Sequence, residues 1–134
     1  MSHHPLLDEI EAADRAMLAH LGLAVRRASE EEVVLHGDPH PDLQNSFDIV
    51  HGSHAFAALD TAAAYALAAR GIHAATIGSH ITFSRPVSSG AEVVATARVV
   101  TAGRTLATVR AELTADGRLA ALGTFEFKVR SIAD

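Results

Sequence analysis

Apolar and polar side chains follow two different periods along the 134 residues of this chain. In the N-terminal segment, at residues 1–21, apolar positions recur at helical spacing from residue 6 to residue 20, and acids crowd the first turn. This pattern predicts a short amphipathic helix that ends at Gly22. Two short extended runs follow at about residues 23–28 and 32–36.

The middle of the chain combines a turn-rich loop with a helix of unusual composition. Two prolines and a glycine between residues 36 and 45 exclude regular structure there. A longer helix is expected at residues 53–70, between Gly52 and Gly71. Nine of the fifteen residues at 55–69 are alanine, so the helix has a thin profile that a sheet can approach closely.

The remainder of the chain reads as strands, because apolar side chains occupy alternate positions. The predicted strands are residues 74–84, 92–101, 105–113 and 119–130. Asp116 and Gly117 signal a tight hairpin, and short connections make neighbouring strands antiparallel. We therefore expect a single α+β domain over residues 1–134, with a central helix against a curved antiparallel sheet of five to six strands.

Composition narrows the class of protein. Hydrophobic residues make up 49% and charged residues 20%, which indicates a folded domain rather than disorder. The chain has no cysteine, and with neutral histidines its net charge is −5. Its single lysine and ten scattered arginines form no basic stripe, so nucleic acid is not an expected partner. The sequence shows no membrane span and no signal peptide, which favours a cytoplasmic protein without a membrane partner.

Asp60 is the one residue of the central helix that needs a special explanation. It is the only charge between residues 55 and 69, and its helical neighbours are apolar. A helix that is apolar all round is covered by protein, so we expect this carboxylate to lie in a cleft. A buried carboxylate is costly unless it is hydrogen-bonded or paired. It marks either a functional site or a structural aspartate bonded to a loop amide.

The segment before that helix suggests where a substrate oxygen could bind. A helix N-terminus exposes unpaired N–H groups, and Gly52 would let a substrate oxygen approach the backbone, although glycine there more commonly serves a turn. Gly52 and Asp60 are eight residues apart, or roughly 12 Å along one helix at ~1.5 Å per residue. They cannot act on one carbonyl within one chain. If both are catalytic, the protein is a homodimer with its sites at the subunit interface.

Thirteen residues of this sequence form a spaced motif, and the similarity that they carry extends over about residues 20–130. Its members are Asn45, His51, Gly52, Asp60, Gly71, Thr76, Ile81, Thr82, Phe83, Ser84, Arg85, Pro86 and Gly90. The set resembles the hotdog-fold acyl-CoA thioesterases, and most of all their PaaI-like branch, which is associated with phenylacetate catabolism. The resemblance implies a hotdog fold, an acyl-CoA substrate, no cofactor or metal, and dimers that pair into homotetramers.

The same resemblance implies catalytic roles. Asp60 would be the general base that activates water, or a nucleophile that forms an acyl-enzyme anhydride. The N–H of Gly52 would polarise the thioester carbonyl, and Asn45 and His51 would line the loop beside it. Thr76 stands where the family carries a serine or threonine that helps to hold water near the carboxylate.

Other residues are assigned to substrate binding. Arg85 and Arg104 are candidates for the nucleotide end of coenzyme A, although exposed strand-end arginines are common. An acyl pocket lined by Phe47, Phe56 and Leu59 suits aryl-acetyl, benzoyl-like and medium-chain acyl groups alike.

One position departs from the family pattern. The family usually has a second glycine where this chain has Ser53. Ser53 is a good N-cap residue, and together with the bulky His54 it would narrow the acyl pocket or alter its specificity.

Three alternatives stay open. His51, His54 and Asp60, with His36 or His40, could supply metal ligands. A hydratase or dehydratase of the same fold would use the His51 and Asp60 pair for proton transfer. The third alternative is a domain that only binds acyl-CoA, and tight binding without release of thiol would favour it.

Overall fold

A six-stranded antiparallel sheet wraps one long helix in the computed structural model, which describes residues 2–39, 41–47 and 49–134. The helices are α1 (Leu6–Ala13), α2 (Arg15–Leu21) and α3 (Gly52–Ala68), with a short 3-10 helix at Pro41–Leu43. The strands are β1 (Leu23–Ala28), β2 (Val33–Gly37), β3 (Ile72–Phe83), β4 (Val93–Ala102), β5 (Leu106–Ala115) and β6 (Arg118–Ile132). The expected α+β architecture, with six strands, is confirmed.

The N-terminal segment forms two helices, so the prediction of one helix at residues 6–20 was wrong. Asp14 separates α1 from α2 with backbone angles of φ −90 and ψ 7, outside the helical range. Its side chain caps neither helix and instead accepts a hydrogen bond from the Tyr65 hydroxyl of α3. Gly22 ends α2 in the left-handed conformation, at φ 68, as glycine readily does.

Two short-range expectations around the loop need correction. The 3-10 turn at Pro41–Leu43 forms where no regular structure was expected, because proline suits the first turn of a helix. Helix α3 begins at Gly52, and its N-cap position is His51 rather than Ser53. Ser53 lies at the second helical position, and no side chain caps the helix.

Helix α3 packs most of its surface against the sheet, and its alanines let the strands come close. One stripe of the helix stays partly open in a single chain, contrary to the expectation of full cover. The stripe consists of Ser53, Phe56, Ala57, Asp60 and Ala64. No helix in the described part of the chain is long and apolar enough to cross a membrane.

Strand order explains the shape of the sheet. The order is β1-β2-β4-β5-β6-β3, so β4, β5 and β6 form the expected meander. Asp116 and Gly117 close its last hairpin with φ angles of 49 and 82, as the dipeptide predicted. Strand β3 pairs with β6 rather than with β4, because a longer connection follows it. It therefore lies at the edge of the sheet.

A β-bulge interrupts this edge strand. The register with β6 shifts between Thr76 and Gly78, so the strict alternation predicted for residues 74–84 fails there. The side chain of Ile77 is 60% exposed as a result. The edge strand thus shows an apolar side chain and an unpaired row of backbone groups to the outside.

Candidate active site

A cavity of about 340 Å³ opens at the start of α3. It brings together four of the residues assigned to catalysis or substrate binding, Asn45, His51, Gly52 and Arg85. Its other walls are mainly apolar side chains of the loops before α3 and after β3 and of strands β3 to β6. The arrangement combines an apolar chamber with the backbone amides at a helix N-terminus, where a carbonyl oxygen can be bound.

Gly52 is closely covered by the ring of Phe83 from the end of β3. A Cβ atom at this position would lie 3.3 Å from Cε1 of that ring. Gly52 is the first residue of α3, a position whose N–H has no carbonyl one turn earlier in the helix to donate to. Glycine here leaves room for a group that binds beside the ring.

Asn45 shapes the loop in front of the helix. Its Oδ1 accepts hydrogen bonds from the backbone N–H of Phe47 at 2.8 Å and of Ile49 at 3.4 Å. The neighbouring His51 N–H donates to the Leu43 carbonyl at 2.7 Å. These bonds fix the shape of the loop, and Asn45 and His51 both line the cavity.

Asp60 and Thr76 lie together on another part of the chain. The Oγ1 of Thr76 donates to Oδ1 of Asp60 over 2.6 Å. Asp60 is half-buried on the open stripe of α3, and its described hydrogen-bond partner is this hydroxyl rather than a loop amide. It borders a separate cavity of about 290 Å³ beside α1 and α2. A single chain therefore separates the carboxylate from the Gly52 amide.

Comparison with known proteins identifies the family. A family model described as the Thioesterase superfamily matches residues 47–121, which is more than half of the chain. The chain belongs to the thioesterase superfamily. A search of curated proteins found no match.

Solved structures agree with this membership. A mutant of the phenylacetic acid degradation protein PaaI from Thermus thermophilus is 32% identical with a TM-score of 0.78, covering 84% of this chain and 97% of that one. The PaaI protein of E. coli is 24% identical with a TM-score of 0.85, over 91% and 94%. The protein smu.793 from Streptococcus mutans, bound to acetyl CoA, is 20% identical with a TM-score of 0.80, over 84% and 91%. The predicted hotdog fold, the PaaI-like resemblance and the assignment as a thioester hydrolase are confirmed.

The residues assigned to the acyl pocket of this thioesterase do not line the 340 Å³ cavity in one chain. Leu59 is fully buried in the core, and Phe47 is 79% exposed. Phe56 packs edge-on against Phe125, with ring centroids 5.8 Å apart. Phe83 lines the cavity instead, and the sequence analysis had included it in the family motif without assigning it to the acyl pocket.

The two candidate arginines lie at different ends of the sheet. Arg85 lines the cavity directly after β3. Arg104 follows β4 in the turn to β5, nine residues from Leu113 of the cavity wall, or roughly 30 Å along a strand at ~3.3 Å per residue. Within one chain, only Arg85 is near the start of α3.

The described residues do not assemble the metal site considered from the sequence. No group of three histidine or acidic side chains among them is placed to hold a metal ion. His54 is buried, and its Nε2 donates to the Leu21 carbonyl at 2.8 Å. His36 accepts from Arg26 at 3.1 Å, and His40 lies outside the described residues.

Proposed function

We propose that this thioesterase hydrolyses acyl-CoA thioesters at sites that two copies of the chain share. The separation of Gly52 and Asp60 along α3 carries this proposal. Eight residues of helix place them roughly 12 Å apart at ~1.5 Å per residue, whereas a base and an oxyanion donor must both reach the same carbonyl. A second copy supplies the missing half of each site.

The edge strand β3 supports the dimer. It is twelve residues long, contains no acidic, lysine or arginine side chain, and pairs with β6 on one side only. Such an edge is a template for pairing with another strand, and a second copy satisfies it symmetrically. Phe83, which touches Gly52, lies at one end of β3, and Thr76 lies nearer the other end. Antiparallel pairing of two β3 strands therefore brings Gly52 of one chain towards Asp60 of the other.

The proposed reaction uses Asp60 as a general base or as a nucleophile. As a base, its carboxylate takes a proton from water while the water oxygen bonds to the thioester carbon. The N–H of Gly52 of the partner subunit binds the developing oxyanion, and collapse of the intermediate breaks the C–S bond. The proton passes to the sulfur of coenzyme A. As a nucleophile, the carboxylate first forms an anhydride and releases the thiol, and water then cleaves the anhydride.

The 340 Å³ cavity suits the acyl group, because it is mainly apolar and lies at the lower end of ligand-pocket volumes of roughly 300–1,000 Å³. An aryl or medium-chain acyl group fits these limits. Asn45 and His51 would position the carbonyl, and Arg85 would meet the pantetheine or nucleotide part of coenzyme A. Roles for Ser53, Phe56 and Arg104 require the partner subunit, since they lie outside the cavity of one chain. No cofactor is expected, and a homotetramer and a cytoplasmic location stay predictions.

A thiol-release assay over a panel of acyl-CoAs tests the function. We expect Asp60→Asn to lower turnover by at least about 10²-fold without changing Tm, because general base catalysis contributes that much. Turnover within a few-fold of the wild type would exclude Asp60 as the base or nucleophile. Hydration of crotonyl-CoA without thiol release would favour a hydratase instead.

Complementation between two inactive variants tests the shared site. Gly52→Pro removes the N–H, and proline is tolerated at the first helical position, where the preceding His51 already has ψ 140. Asp60→Asn and Gly52→Pro chains refolded together form heterodimers with one intact site. Random mixing predicts recovery of about a quarter of wild-type activity. No recovery from a mixture that forms heterodimers would show that each chain carries a complete site.

A further inference from the structure

A partly buried polar pair links the N-terminal helices to the central helix. The Tyr65 hydroxyl of α3 donates to Oδ2 of Asp14 over 2.7 Å, and Tyr65 is only 1% exposed. Asp14 occupies the residue before α2, a position where aspartate usually caps the helix. Its carboxylate makes no capping bond and turns towards α3 instead. Asp14 therefore bonds to Tyr65 of α3 instead of capping α2.

This pair borders the same cavity as the candidate catalytic carboxylate. Asp14, Tyr65 and Asp60 all line the 290 Å³ space, and Ile10, Met17 and Ile72 supply apolar walls. A water molecule takes about 30 Å³ in the liquid, so the space holds several waters next to polar partners. The cavity does not include Gly52 or Asn45 of the same chain, so within one chain this space is separate from the 340 Å³ acyl cavity.

The hydrogen bonds of Asp60 and of the Asp14–Tyr65 pair leave acceptor oxygens for a water molecule in this space. Thr76 occupies Oδ1 of Asp60, which leaves Oδ2 as an acceptor. Burial, and then the bond to Asp14, raise the pKa of Tyr65, so the phenol keeps its proton and donates it to Asp14. The phenol oxygen and the remaining Asp14 oxygen can therefore only accept from water. A water that donates one hydrogen to Asp60 and the other towards this pair keeps an oxygen lone pair for the thioester carbon.

We propose that Asp14 and Tyr65 are positioning residues that hold the hydrolytic water, directly or through a second water, for Asp60. The inference rests on the proposed function, in its general-base form or in the hydrolysis of the anhydride. In the general-base form the water oxygen bonds to the thioester carbon, and its proton passes to Asp60 and then to the leaving sulfur. In the anhydride form the water oxygen bonds to the acyl carbon, Asp60 leaves as the carboxylate, and the proton passes to solvent. The bond that breaks is the C–S bond or the anhydride C–O bond.

The competing explanation is that the pair only ties α1 and α2 to α3. Leu7 offers a matched control, because it is a buried apolar residue of α1 in the same core and does not border the 290 Å³ cavity. Leu7→Val loosens the packing of α1 without changing the polar pair. We expect it to lower Tm and to leave kcat as in the wild type.

The experiment measures kcat, KM and acyl transfer to hydroxylamine for Tyr65→Phe, Asp14→Asn and Leu7→Val. Tyr65→Phe and Asp14→Asn are expected to lower kcat for hydrolysis about tenfold at unchanged KM, since a misplaced reactant costs up to about 10² in rate. They should also raise the ratio of hydroxamate to free acid, because hydroxylamine does not depend on the water site. The two variants guard against loss of folding in either one.

Each outcome decides between the explanations. A wild-type product ratio in both folded variants, or an equal fall in kcat for Leu7→Val, would overturn the water-positioning role. A wild-type enzyme that is inactive on every acyl-CoA would overturn the proposed function and this inference together. If the wild type is active, and Tyr65→Phe and Asp14→Asn leave kcat and the product ratio unchanged, only this inference is overturned.

Discussion

The hydrogen bond between Thr76 and Asp60 predicts how far the hydrolytic rate depends on one hydroxyl group. Thr76 Oγ1 lies 2.6 Å from Oδ1 of Asp60, a separation typical of a hydroxyl that donates to a charged carboxylate. Thr76→Val replaces the hydroxyl with a methyl group of similar size and keeps a β-branched residue in β3. We expect kcat to fall because Asp60 loses the bond that orients its carboxylate.

The size of the effect follows from the exposure of the pair. A hydrogen bond to a charged group contributes about 1.5–3 kcal/mol when it is shielded from solvent. Thr76 is exposed and Asp60 half-buried in one chain, so screening reduces the figure to about 1 kcal/mol. Since about 1.4 kcal/mol corresponds to a tenfold change in rate, kcat should fall about fivefold. KM should stay the same, because Thr76 lies outside the 340 Å³ cavity proposed for the acyl group.

Initial rates of thiol release at saturating acyl-CoA measure this effect. Thr76→Ser keeps the hydroxyl and should retain wild-type kcat. Thr82→Val removes a hydroxyl from the same strand without touching Asp60, and it should also behave as the wild type. A wild-type kcat for Thr76→Val, or an equal loss in Thr76→Ser, would refute the role assigned to this bond.

Two further predictions concern the buried phenol and the sheet edge. Tyr65 is the only tyrosine and its pKa is raised, so tyrosinate absorbance should not develop near pH 10 before the chain unfolds. Because the pKa is higher in the folded state, the free energy of unfolding should fall as pH rises above about 10, and Tyr65→Phe should lack this part of the fall. A midpoint near 10 in the folded protein would contradict the assignment. Ile77→Glu on β3 should give monomers in light scattering and at least about tenfold slower thiol release, because like charges would meet across the paired edges. Val100→Glu, at a residue 63% exposed on β4, is its control, and dimeric, active Ile77→Glu would rule out edge pairing.

The chain order of the elements could be predicted from the sequence because it depends on local signals. Alternation located β4, β5 and β6, the Asp116-Gly117 dipeptide located their last turn, and Gly22 ended α2. The break at Asp14 could not be predicted in this way. It accompanies a hydrogen bond to Tyr65, a residue 51 positions away, and helical periodicity contains no information about such a partner.

Some residues of the candidate site could likewise be predicted from the sequence, and others could not. Asp60 stood out because it is a lone charge in an apolar helix, and Gly52 because it precedes that helix. The contact between Thr76 and Asp60 followed only from the family resemblance, and the structure places the two side chains in hydrogen-bond contact. Phe83 belonged to the family motif but was given no role, because strand alternation does not reveal that a ring at the end of β3 covers the first residue of α3.

The sequence by itself determined the α+β class, the alanine-rich central helix and the distance between Gly52 and Asp60, since a helical rise follows from residue count alone. Only the tertiary structure decided that β3 lies at the edge of the sheet, that Gly52 and Asp60 border different cavities, and that Asp14 turns inward to Tyr65. These features depend on which distant segments pack together. That choice is made by burial and hydrogen bonding over the whole chain, and not by any local pattern.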